Sequence, residues 1–248
     1  MTATDRPATA AGSETGDRTA FLATARRRLA GDILVNPVHT PPPTPAPGDP
    51  VPRPGYRNLD PDDLVTTFAA AVLHAEGTCH VVEGEVPDTL LDLLVAELDG
   101  RPVVTSAEPV AQAVGERLAA RGAIVADATP ERAAAAGLGV TGAVAAIAAT
   151  GTVVLDSRAA GGRAASLLPA VHLCVTDVNS LFPTPADVLR RLGSGGDAPP
   201  PSLVLVTGPS RTGDIEQLLT LGAHGPTALH VVLVTDAGRA SSISVPPA

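Results

Sequence analysis

The stretch LVLVTGPSRTGDIEQLLTLGAHGPTALHVVLV, residues 203–234, holds two apolar, β-branched runs separated by two polar turns and a helical pattern. Short apolar runs bounded by turn residues read as buried strands, and a helical segment between two of them reads as a crossover between parallel strands. The first turn carries Gly208, Pro209, Ser210, Arg211, Thr212 and Gly213; the second carries His224, followed by Gly225 and Pro226. Polar turns at strand ends are where α/β proteins usually keep their chemistry.

The same alternation extends back along the chain. Strands are predicted at Cys79–Val82, Val103–Thr105, Ala123–Ala126, Thr152–Leu155, Leu173–Thr176, Leu203–Thr207 and His230–Thr235. Helical patterns fall at 87–98, 107–121, 131–136, 185–192 and 214–221, and an earlier helix begins with Asp60 as N-cap and Pro61 at its first position. This order predicts an α/β fold, a mostly parallel sheet with helices on both faces. Residues 1–16 are small and polar and read as disordered. Residues 17–58 read as a helix followed by a Pro-rich extended arm, NPVHTPPPTPAPGDPVPRPGYRN. The α/β domain is expected over 59–236, with a flexible tail at 237–248.

Composition narrows the chemistry. The chain has 248 residues and a formal charge of −9, which disfavours a nucleic-acid or anionic-membrane partner. All 17 basic residues are Arg, so Schiff-base, lysine-bound pyridoxal phosphate and P-loop lysine mechanisms are excluded. Cys79 and Cys174 stand alone without a CxxC, which leaves no cysteine-based zinc site or iron–sulfur cluster within the chain. The N-terminus has no apolar secretory core, and a cytoplasmic location is expected. Residues 133–155 are uncharged over a membrane-like length, yet four glycines and three threonines break them; a helix, a turn and a buried strand account for them better.

GLGVTG, residues 137–142, matches the dinucleotide-loop pattern with Asp156 downstream, but a helical run rather than a strand precedes it, so it is set aside. The 207–216 turn is the stronger candidate. Backbone amides of a glycine-rich turn opening a helix favour an anion, Arg211 adds a bidentate clamp, and Ser210 and Thr212 add hydroxyl donors. Asp214 with Gln217 also fits a capping box, which needs no ligand. His224 sits among small residues that leave its ring accessible, whereas His172 starts an apolar strand and is expected to be buried and hydrogen-bonded. His74 and His80 flank Cys79 at no recognised metal spacing, and no metal is expected.

GVTGAVAAIAATGTVVL (139–155), SLLPAVHLCV (166–175), TGPSRTGDIE (207–216) and GAHGP (222–226) together resemble the LUD-domain family, of the lactate utilization protein C type. The resemblance spans about residues 60–235. It implies a three-layer α/β/α fold of the sugar-phosphate isomerase and CoA-transferase type. It also implies a part in oxidising L-lactate to pyruvate beside iron–sulfur partner proteins, this chain being a non-redox subunit with no cofactor of its own. Candidate binding residues are Gly208, Ser210, Arg211, Thr212, Gly213, His224 and Gly225, with Thr150, Gly151 and Thr152 from the second motif; His224, Asp214 and Glu216 are the catalytic candidates. The expected ligand is a small carboxylate or phosphate. The family pattern places an acidic residue before TGT where this chain has Ala149, a side chain unable to act as acid, base or nucleophile. A stand-alone enzyme acting on a small phosphorylated or acyl-CoA substrate is the alternative on the same fold.

Overall fold

Leu138–Gly142 and Val171–Asp177 run side by side at the centre of a parallel sheet, and every other element is arranged around that pair. The computed structural model describes residues 63–193, 200–213, 219–221 and 224–235. The segments predicted at 1–16, 17–58 and 237–248 lie outside the described residues. So do Asp60, Pro61 and residues 214–218, which include Asp214 and Glu216.

In chain order the elements are α1 (Leu64–His74), β1 (Thr78–Glu83), α2 (Asp88–Ala96), β2 (Val103–Thr105), α3 (Pro109–Ala119) and β3 (Val125–Asp127). Then come α4 (Pro130–Ala135), β4 (Leu138–Gly142), β5 (Ala145–Ile147), β6 (Thr152–Asp156), α5 (Ala164–Leu167) and β7 (Val171–Asp177). The chain continues through β8 (Leu181–Phe182), α6 (Pro185–Gly193), β9 (Leu203–Val206), β10 (Arg211–Gly213), β11 (Leu219–Leu221) and β12 (Ala228–Thr235). Six strands form a parallel sheet in the order β1-β12-β7-β4-β2-β3. The expected α/β fold with a mostly parallel sheet is therefore what the chain adopts.

Because strand side chains alternate between faces, β7 and β12 divide into two sets. Leu173, Val175 and Val232 pack with Leu90, Leu91 and Leu94 of α2 and Val114 and Leu118 of α3. Cys174, Leu229, Val231 and Leu233 face the other way, onto Val65, Phe68 and Val72 of α1 and onto Val153 and Leu155 of β6. α4 and α5 cover Val104 on that second side.

One layer differs from expectation. Four strands, in the order β8-β5-β6-β9, make a second sheet on the α1 side, and β9 runs antiparallel to β6 within it. The 203–234 stretch is therefore not a strand–helix–strand crossover in one sheet: its first strand belongs to the small sheet and its last to the large one. Residues 219–221, predicted helical, are extended. Apolar runs such as LVLV have no alternation and so do not reveal which sheet they join. Residues 133–155 fold as the end of α4 followed by β4, β5 and β6, and no helix among the described residues is long and apolar enough to cross a membrane.

GLGVTG is accounted for by packing. Its residues 138–142 are the buried strand β4, and a Cβ at Gly139 would collide with the Ala165 carbonyl oxygen of α5. Glycine is needed there for close approach of a helix, with no phosphate-binding turn present.

Candidate functional site

The two polar turns singled out in the sequence meet in space. The Ser210 N–H donates to the Pro226 carbonyl at 2.8 Å, and the Thr227 N–H donates to the Ala170 carbonyl at 2.8 Å, tying both turns to the start of β7. A Cβ at Gly225 would stand 3.1 Å from Ser210 Cβ, so a larger residue there would press the two turns apart by a few tenths of an ångström. Gly208 holds φ at +73°, in the left-handed region, and a Cβ there would strike the Ala75 carbonyl at the end of α1.

Between these turns lies a cavity of about 270 Å3. Its polar rim is Thr207, Gly208, Ser210, Arg211, His224 and Gly225; its apolar wall is Leu167, Val204, Val206 and Leu229; His172 lines it from the buried side. Five of the predicted binding residues, Gly208, Ser210, Arg211, His224 and Gly225, thus share one cavity. Thr152 reaches it indirectly: a chain of hydroxyls runs from Thr150 to Thr152 (2.6 Å) and on to Thr207 (2.7 Å). Gly151 instead serves packing, with φ +62° against the backbone of Val72. Ala149 gives its N–H to the Pro183 carbonyl at 3.1 Å and takes no part in the cavity wall. Thr212 and Gly213 belong to β10.

The structure of the turn differs from the sequence expectation in two respects. The turn enters strand β10, so no helix N-terminus stands at residues 211–213, and the Ser210 amide is already taken by Pro226. Arg211 is not a bare clamp either. Its Nη2 donates to the Ala75 carbonyl at 3.0 Å and lies 2.7 Å from Glu76 Oε2. A guanidinium here meets the negative end of the α1 dipole and a carboxylate together, which locks the turn against that helix. Both contacts use Nη2; the side chain is about a quarter exposed, and Arg211 is among the residues lining the cavity.

His172 departs from expectation in one respect. It is fully buried, as predicted, and its Nε2 lies 2.8 Å from Thr141 Oγ1 on the neighbouring strand. Its Nδ1, however, has no hydrogen-bond partner among the described residues. Burial pushes the imidazole down to about 4, so the ring is neutral at pH 7. Sequence reasoning passed over it as core; the available signal was a polar residue inside the apolar VHLCV. The thiol of Cys174, one pleat further on the same face, is pushed up to about 12 by burial, and Cys79 likewise, so neither is a ready nucleophile.

A second cavity, about 350 Å3, lies at the C-terminal ends of β2 and β3 between Thr105, Asp127 and Thr129. Its carboxylate, Asp127, is paired with Arg132. Among the described residues no group of three or more His, Cys, Asp or Glu is placed to hold a metal ion. His80 and His230 stack with ring centroids 5.7 Å apart on β1 and β12, with no third ligand among the described residues.

A sequence model of the LUD domain matches residues 106–234. Lactate utilization protein C of Bacillus subtilis (strain 168) is 35% identical over 102 residues, 40% of this chain and 42% of that protein. Lactate utilization protein C of Deinococcus radiodurans is 38% identical over 96 residues, 38% of this chain and 45% of that protein. The matched part therefore spans less than half the length of these curated relatives. A crystal structure of a DUF162 family protein from Deinococcus radiodurans shares the fold, with a TM-score of 0.51 at 23% identity, covering 71% of this chain and 99% of that one.

Proposed function

Because this chain belongs to the LUD-domain family, we propose that it is a component of L-lactate utilization that binds a small carboxylate in the cavity between its two polar turns. The relatives' names support the pathway, and one observation supports the site: the cavity gathers Ser210, Arg211, His224 and a buried neutral His172 around a space of small-molecule size. A carboxylate entering at the rim competes with Glu76 for the Arg211 guanidinium. It exchanges one charge-assisted pair for another, while the Ser210 hydroxyl and the His224 ring supply further donors. The nearby apolar wall, Leu167, Val204, Val206 and Leu229, takes the ligand's alkyl part.

The two cysteines are isolated and held as thiols, so electron transfer from lactate falls to partner proteins carrying iron–sulfur clusters, with this chain as a non-redox subunit. Deleting the gene in its host tests this reading. Growth on L-lactate should be lost or slowed with glucose growth unchanged, and wild-type gene should restore it where Arg211→Ala or Arg211→Lys does not, since a point charge lacks the guanidinium fork. Unchanged growth on L-lactate in a strain lacking any other lactate dehydrogenase refutes the assignment.

A further inference from the structure

His172 occupies an unusual position. Its ring is completely buried, Thr141 holds it through Nε2, and Nδ1 is left without a partner among the described residues. Leaving a buried polar atom unpaired costs about 1–3 kcal/mol, so such atoms in native proteins call for an explanation. The same residue is among those that line the cavity. Of the residues that share this wall, Leu167, Val204 and Leu229 have apolar side chains, and the Ser166 hydroxyl donates its proton to the Arg163 carbonyl at 3.1 Å.

We propose that His172 is a specificity-determining residue of the cavity, its Nδ1 hydrogen-bonding an uncharged hydroxyl of a small carboxylate whose charged end lies toward Arg211 and His224. The proposal rests on the reading of the cavity as a carboxylate site. Its chemistry follows from the ring. With a neutral imidazole there is no second charge at the buried end, so a ligand amine or second carboxylate would be stranded against apolar wall. In one tautomer Nδ1 donates and in the other it accepts; a hydroxyl satisfies both, whereas a keto oxygen satisfies only the first. A hydroxy acid is therefore preferred over the same acid without its hydroxyl.

Calorimetric titration with L-lactate and with propionate, which differ by that hydroxyl, tests this on wild type, His172→Gln and His172→Asn. Wild type should prefer L-lactate by about tenfold. Gln places its amide where Nε2 was, keeping Thr141 and losing the Nδ1 contact; the preference should fall to about one with propionate affinity unchanged. Asn places its amide where Nδ1 was and should keep the preference. In wild type alone, nitrogen-15 NMR should show the His172 Nδ1 resonance moving with L-lactate and not with propionate, a reading that needs no variant to fold. If both acids bind equally and the resonance stays still, His172 is a core residue and the proposal is overturned while the carboxylate site stands. If neither acid binds wild type, the carboxylate site is wrong and the His172 assignment falls with it.

Discussion

Arg211 and Glu76 are joined at 2.7 Å across the junction of the 207–210 turn and the end of α1. The pair holds a cavity-lining cation in place and at the same time occupies part of it. Replacing Glu76 by Gln should therefore release the guanidinium for external anions. We expect affinity for a small carboxylate to rise about three- to tenfold at low salt, an advantage that shrinks as salt screens the charge. Glu76 is half exposed, so the stability change should stay within about 1 kcal/mol. Calorimetry at two ionic strengths checks both; unchanged affinity would mean that Arg211 does not meet the ligand.

Gly208 makes the turn possible. Gly208→Ala adds a Cβ at φ +73° directly against the Ala75 carbonyl. Strain and displacement together should cost about 2 kcal/mol or more, read as a lower urea midpoint. A midpoint equal to wild type would mean that the turn does not rest on α1.

The hydroxyl relay gives a third expectation. Thr152→Val removes the middle of Thr150–Thr152–Thr207 and leaves the outer hydroxyls without it. Thr152 is buried, so the loss should be about 1–3 kcal/mol of stability, with a weaker effect on ligand affinity through Thr207. Equal stability of Thr152→Val and wild type by denaturant titration would remove the relay from the account.

Acid should act through His172. Its folded pKa is depressed to about 4, below the ordinary 6.5, so between those values the unfolded chain binds the extra proton. The associated stability is fully present above about pH 6.5 and is lost as pH falls toward 4, about 3 kcal/mol in all. Burial lowers His80 and His230 as well, which adds loss in the same direction. Unfolding free energies at pH 7, 5.5 and 4.5 should decline in wild type and decline less in His172→Gln. Parallel curves would show that His172 does not carry the effect.

How much of this was legible beforehand varies by element. β2, β7 and β12 were readable because VVT, HLCVT and HVVLVT are apolar runs bounded by turn residues, and α2 and α3 because their leucines and valines recur at helical spacing. β4 was hidden by two glycines that suit a loop as well as a strand crossed by a helix; only Ala165 pressing on Gly139 decides between them. Both polar turns were legible from their residue types, and their adjacency was not, since the Ser210–Pro226 hydrogen bond joins two different sheets. Arg211 is conspicuous in its turn, but its partner is not legible, because Glu76 lies 135 residues earlier and no local pattern links them. His172 was read as ordinary core, since an unpaired Nδ1 is a fact of three dimensions.

Whether the cavity between the two turns receives a small carboxylate is decided by a crystal structure of the protein grown with L-lactate. The carboxylate should lie within hydrogen-bonding distance of Arg211 and of Ser210 or His224, with the hydroxyl at His172 Nδ1. L-lactate lying instead in the second cavity beside Thr105 and Asp127, with the space between the turns holding only solvent, would contradict it.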